Sequence, residues 1–185
     1  MGDGASSYRR FLLGDDEAIV EIIRDYKDGL ILYLNGYVDD VYIAEELVEE
    51  TFFQIVTKKP KFLEKSSFKT WLYAIGRNVA RNSLRQNKKA ASISVEECEK
   101  RRLEERALER EYLEQERKII LHNALRKLQP EYRRALHLRY FENFSNAEIA
   151  IVLNKSVHQT ENLIYRARKS LKSELDRAGF EYEEL

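Results

Sequence analysis

The fold is decided by "FSNAEIAIVLNKSVHQTENLIYRARKSLKSEL", residues 144–175. Ser145 followed three residues later by Glu148 reads as a capping box, in which each side chain satisfies the other's backbone amide at a helix start. Ile149, Ala150 and Leu153 then give a short helix its buried side, and Ala150 is small enough for a second helix to cross closely. Asn154 stands where a helix ends in the left-handed region, a position Asn fills second only to Gly. Ser156 or Val157 starts a longer helix with Thr160, Ile164, Ala167 and Leu171 turned inward at i, i+4, i+7 and i+11. Two helices joined this way form a helix-turn-helix, whose second helix suits the DNA major groove.

The other face of that second helix carries Gln159, Asn162, Arg166 and Lys169, with Ser156 and His158 at its start. Amide side chains match adenine edges, Arg matches guanine or phosphate, and Lys matches phosphate. An ordinary helical hairpin with a solvated face would show a similar pattern. The charge decides between them: ten bases against four acids lie between 126 and 172, a local excess that suits a polyanion.

Outward from this segment the chain reads as all-α, two small helical domains joined by a charged linker. Seven Gly and two Pro punctuate 185 residues, and 35% of them are charged. Pro130 marks a helix start whose helix carries Tyr132, Ala135, Leu136, Leu138 and Tyr140, preceded by a helix ending by Leu128. In the first half, Asp15 or Asp16 caps a helix with Ile19, Ile22, Ile23, Tyr26, Leu30 and Tyr33 in phase, and Gly36 is expected to interrupt it. A second helix runs from about Asp39 to Val56, burying Ala44, Leu47, Val48, Thr51, Phe52 and Ile55, and Lys59-Pro60 ends it. A third, "FKTWLYAIGRNVARNSLR", buries Trp71, Leu72, Ile75 and Val79 and carries Arg77, Arg81 and Arg85 at i, i+4 and i+8. Between 86 and 118 nine bases balance nine acids with few large apolar residues, as in a tether; Ser94 with Glu97 is a candidate capping box there. The expected domains are 1–88, a linker 89–118, a second unit 119–178, and an acidic tail 179–185.

A formal net charge of zero conceals strong segregation. Twelve acids oppose two bases from 15 to 56, and ten bases oppose one acid from 58 to 89. Each block repels itself, so the arrangement suits two separate partners better than one featureless surface. No apolar run approaches the roughly 18 residues that span a bilayer, and "MGDGASSYRRFLLGDDEA" lacks the apolar core of a secretory signal. A cytoplasmic location with no membrane insertion is the expectation. Cys98 is the only cysteine, which excludes an intramolecular disulfide and a cysteine-based zinc site. His122, His137 and His158 are too scattered for metal ligands, and no nucleophile–base pair or phosphate-cradling glycine loop is present. Neither cofactor nor enzymatic activity is expected.

"AEELVEETFFQIV", "FKTWLYAIGRNVARNSLR", "ALRKLQPEYRRALHLRYFENFSNAEIAIVLN" and "TENLIYRARKSLKSEL" together resemble an extracytoplasmic-function sigma factor of bacterial RNA polymerase, over nearly all of 15–177. The resemblance implies a promoter-specificity subunit with core RNA polymerase and promoter DNA as partners, and an anti-sigma factor as a further candidate. By the same resemblance Asp40, Glu45, Glu46, Leu47, Glu50 and Phe52 form the surface that docks on the polymerase. Lys65, Phe68, Lys69, Arg77, Asn78, Arg81 and Arg85 face the separated strand of the −10 element. Ser156, His158, Gln159, Asn162, Arg166 and Lys169 face the −35 duplex. Where the family often has a basic residue this chain has Glu161, and where it often has Arg this chain has Leu163. The alternative from the residues alone is a homodimeric helix-turn-helix regulator with a helical sensing domain.

Overall fold

The computed structural model describes residues 4–90 and 112–180. Among them are eight helices and no strand: α1 (Gly4–Leu12), α2 (Glu17–Val38), α3 (Val41–Lys58), α4 (Phe68–Ala90), α5 (Tyr112–Lys127), α6 (Pro130–Tyr140), α7 (Asn146–Leu153) and α8 (Val157–Arg177). The candidate cap at Ser94 and most of the expected linker lie outside the described residues.

In the first half α2 is the spine. Its Ala18, Ile22, Leu30, Ile31, Tyr33 and Leu34 are buried, and the chain reverses at once into α3. Asp39 takes the left-handed cap of α2, and Asp40 caps α3, its Oδ1 accepting from the amides of Tyr42 at 2.9 Å and Ile43 at 3.2 Å. α4 closes the bundle with Leu72, Tyr73, Val79 and Ala80. Gly36 does not interrupt α2. A mid-helix Gly costs only about 1 kcal/mol relative to Ala, and the burial of Tyr33 and Leu34 on the same turn outweighs that.

α1 had no counterpart in the periodicity of the sequence. It is short, and only Tyr8 and Phe11 anchor it as large apolar residues. Tyr8 enters a cluster with Phe62, Phe68 and Trp71, rings 5.2–5.7 Å apart, and its hydroxyl donates to the Pro60 carbonyl at 2.7 Å. Burial pushes the Tyr8 phenol up to about 12. Trp71 is therefore half-buried against the core, packed with Tyr8, Phe62 and Phe68.

The second half, α5–α8, is built as its caps dictate. Ser145 Oγ accepts from the Glu148 amide while Glu148 Oε2 accepts from the Ser145 amide. Asn154 closes α7 with φ 55°. α7 is apolar on more than one side, burying Ile149, Ala150 and Val152, because it lies between α4 and α8. A helix apolar nearly all round belongs inside a protein. The two halves accordingly share one buried cluster: Ala135, Leu138, Phe144, Ile149 and Val152 continue the core of α2–α4, and the rings of Tyr73 and Phe144 meet edge-on at 5.3 Å.

Candidate nucleic-acid and protein interfaces

α8 presents its polar face to solvent. His158, Gln159, Asn162, Arg166 and Lys169 are all exposed, while Thr160, Leu163, Ile164 and Ala167 are buried. Burial of Leu163 explains how the chain accommodates an apolar residue there: it packs into the core rather than toward a groove. Ser156 caps α8, and Gln159 completes a second capping box, its Oε1 accepting from the Ser156 amide at 2.9 Å. Gln159 is expected at a base edge; in the fold its carbonyl already holds the helix start, leaving its NH2 as donor. Asn162 Nδ2 and His158 Nε2 lie 3.1 Å apart, so these two act as a coupled pair one turn apart.

α4 is different. Lys65, in the loop before it, and Asn78, Arg81 and Arg85 along it are exposed, but Phe68 and Arg77 are buried and Lys69 is half-buried. Phe68 belongs to the aromatic cluster under α1. Arg77 reaches across to the second half, where its NH1 donates to the Val152 carbonyl at 2.9 Å. This places a cation at the C-terminal end of α7, where the helix dipole is negative. Its Nε and NH2 donate to Asn78 Oδ1.

Further contacts line the same seam. Lys69 Nζ lies 2.7 Å from Glu142 Oε2 and donates to the Glu142 carbonyl at 3.1 Å. Glu148 Oε1 accepts from Ser67 Oγ and Thr70 Oγ1 at 3.1 and 3.2 Å, next to the N-terminus of α4. Burial alone would push the Glu148 carboxyl up; the Ser145 amide and hydroxyl, then Ser67 and Thr70, bring it below the ordinary value. From the other side, Arg134 NH1 donates to the Gly36 carbonyl at 2.8 Å with its guanidinium 4.0 Å from the Tyr37 ring centroid, and Arg133 pairs with Asp39 at 2.7 Å.

On α3 the acids Glu45, Glu46 and Glu50 are exposed, Asp40 is half-buried as the helix cap, and Leu47 and Phe52 are buried in the core. The exposed aromatic is Phe53, at 61%, with Tyr42 at 64% and Val56 also outward. The helical period that buries Val48, Phe52 and Ile55 must turn Phe53 out, so the signal was present in the spacing. The surface is an acidic face threaded by Tyr42, Phe53 and Val56.

The halves match two families in this order: sigma-70 region 2 over residues 22–90 and sigma-70 region 4 over residues 118–171, more than half of the chain between them. The chain is 28% identical over 166 residues to the RNA polymerase sigma-H factor of Pseudomonas aeruginosa, covering 85% of this chain and 86% of that one. It is also 28% identical over 155 residues to the ECF RNA polymerase sigma factor SigM of Bacillus subtilis, covering 84% and 93%. Among solved structures, the fold resembles CnrH in complex with the cytosolic domain of CnrY (TM-score 0.61, 20% identity, 94% of this chain and 95% of that one). It likewise resembles RpoE bound to the anti-sigma factor NepR from Bartonella quintana (TM-score 0.62, 20% identity, 84% and 95%). With both regions present in order, on an all-helical frame, the chain belongs to the extracytoplasmic-function sigma factors, the promoter-recognition subunits of bacterial RNA polymerase.

Proposed function

We propose that the three faces divide the work of a promoter-specificity subunit acting in the cytoplasm, without enzymatic activity of its own. The acidic face of α3, with Glu45, Glu46 and Glu50 beside Phe53, docks on core polymerase. Lys65, Asn78, Arg81 and Arg85, joined by Lys69 and Arg77 when these are released, hold the separated −10 strand by its phosphates. α8 reads the −35 duplex, with Asn162 and His158 at base edges and Arg166 and Lys169 at phosphates. An anti-sigma factor is a natural partner for a chain whose fold resembles RpoE, seen with the anti-sigma factor NepR, and CnrH, seen with the cytosolic domain of CnrY.

The observation that carries this reading is the exposed polar face of α8, on which Arg166 and Lys169 make no ion pair among the described residues. A cationic face left without internal partners is available to phosphate. Transcription from a promoter library by core polymerase loaded with this chain tests it. Activity should depend on both elements, and Asn162→Ala should change preference at one −35 base. Transcription that ignores the −35 sequence would remove α8 from the role.

A further inference from the structure

α1 precedes residue 22, where the match to sigma-70 region 2 begins, and none of the three faces above uses it. One side of it is fixed to α2 and α4. Ser7 Oγ donates to Glu21 Oε2 at 2.9 Å, Arg10 pairs with the same carboxylate, and a Cβ on Gly4 would stand 2.4 Å from Phe68 Cδ1. It also reaches the loop 59–67 between α3 and α4. The Tyr8 hydroxyl donates to the Pro60 carbonyl at 2.7 Å, the Phe11 ring centroid lies 5.1 Å from Lys59 Nζ, and Arg9 Nε lies 3.6 Å from Glu64 Oε1. Lys59 and Glu64, with φ of 43° and 57°, are the two left-handed residues of this loop. A residue other than Gly keeps that conformation only where its surroundings hold it, and α1 touches both.

Between these two residues the loop divides its side chains. Phe62 is drawn inward, its ring 5.2 Å from Trp71 and 5.7 Å from Phe68 in the cluster that Tyr8 completes. Its neighbours Lys61 and Leu63 are exposed, as is Lys65 beyond Glu64, and Leu63 reaches 58%. Opposite directions for successive side chains are those of an extended segment. We propose that α1 is a positioning element for the −10 strand, with Tyr8 as its positioning residue: it holds the loop in the shape that offers Lys61, Leu63 and Lys65 to the separated strand. The proposal rests on the assignment of Lys65 and α4 to that strand. Two ammonium groups suit the phosphates, and Leu63 between them gives an unstacked base an apolar surface to lie on. Phe at position 8 would fill the same space against Phe68 and Trp71; what it would lack is the bond to the Pro60 carbonyl. Because the loop belongs to no helix, side-chain contacts of this kind set its shape. Strand affinity then scales with the fraction of molecules that hold the competent shape.

The test uses core polymerase loaded with the full chain, probed with a single-stranded −10 oligonucleotide and, separately, with a −35 duplex. Tyr8→Phe keeps the ring in the cluster and removes one neutral hydrogen bond. It should weaken oligonucleotide binding about three- to tenfold and leave duplex binding unchanged. In the free chain the sole tryptophan, Trp71, lies 5.2 Å from both Tyr8 and Phe62 and so reports on the loop. Acrylamide should quench it more strongly in Tyr8→Phe than in the wild type. Lys65→Ala checks the assignment of the loop itself and should weaken oligonucleotide binding with α1 intact. Unchanged oligonucleotide affinity in Tyr8→Phe beside a loss in Lys65→Ala would overturn the role of α1 and leave the loop as a strand-binding element. Equal losses on oligonucleotide and duplex in Tyr8→Phe would also overturn it, as damage to the whole fold. Unchanged affinity in both variants would reject the loop as a strand-binding element, and the role of α1 with it.

Discussion

α4 and α8 are both helices of more than twenty residues with cations recurring along one side, yet only α8 shows that side to solvent along its length. On α4, Arg77 ends at the Val152 carbonyl and Lys69 at Glu142, while Arg81 and Arg85, one and two turns further on, remain exposed. The two helices have the same grammar of apolar stripe and basic face. What separates them is that a helix C-terminus and a carboxylate from the other half lie against α4, whereas α5, α6 and α7 pack on the apolar side of α8 and leave its basic face open. A basic face is thus open to two kinds of acceptor, phosphate oxygens from a ligand or carbonyl and carboxylate oxygens from the same chain. Periodicity does not distinguish them.

The largest expected effect comes from α7, the element that both helices lean on. Ile149 is fully buried there. Ile149→Ala should lower stability by about 2–5 kcal/mol, through lost transfer energy plus the cavity left behind. Urea denaturation should show it as a shift of the midpoint. If α4 and α8 were independent, only the second half would unfold early; because the buried cluster is continuous across the seam, the first half should lose cooperativity with it.

Acid should separate the halves next. Burial pushes the Glu142 carboxyl up, but His137 and Lys69, followed by the Tyr73 hydroxyl, overcome this and hold it at about 2, against an ordinary 4.5. The groups facing it are Lys69 and Tyr73 from α4 and His137 from α6, with Tyr26 of α2 acting on Tyr73. Tyr73 in turn is pushed well up by burial and then by the charge of Glu142. The sign follows from a depressed carboxylate: its contribution is fully present above about 4.5 and is lost as pH falls through about 2. A shift of this size is worth roughly 3 kcal/mol. The urea midpoint should fall over that window less steeply in Glu142→Ala than in the wild type, the remaining fall coming from other depressed carboxylates such as Glu148 and Glu21.

How much of this was legible beforehand follows the range of the interactions. The caps Ser145, Glu148 and Asn154 were readable because each acts within four residues of its partner. The buried positions of α3 were readable from period alone, as was the outward turn of Phe53, although Leu47 and Phe52 were assigned to the docking face as well as to the core. Two features were not readable. α1 carries too few apolar residues to set a period. The burial of Arg77 depends on Val152, 75 residues away, and no local pattern reports a partner at that distance.

Asn162 and Gln159 give a finer contrast within α8 itself. Asn162→Ala should cost roughly 1–3 kcal/mol at a single −35 base. Gln159→Ala removes one arm of the Ser156 capping box and should cost about 1 kcal/mol or less of stability, with little change in base preference. Promoter-library transcription measures the first and thermal denaturation the second. A base-specific loss for Gln159→Ala would mean that its amide leaves the cap to reach the groove.

The smallest effect returns to the two basic faces. Arg166 and Arg81 are both exposed, one on each helix. If each neutralises one phosphate, removing it should flatten the dependence of log affinity on log salt by about one unit, slightly less for a single strand than for duplex. Arg166→Ala should do so on a −35 duplex, because its face of α8 is exposed. Arg81→Ala should do so on a single-stranded −10 oligonucleotide, since Arg81 is exposed while Lys69 and Arg77 on the same helix are engaged by Glu142 and the Val152 carbonyl. Fluorescence anisotropy over a salt series on the two variants would read both slopes. An unchanged slope for Arg81→Ala would mean that its end of α4 makes no phosphate contact.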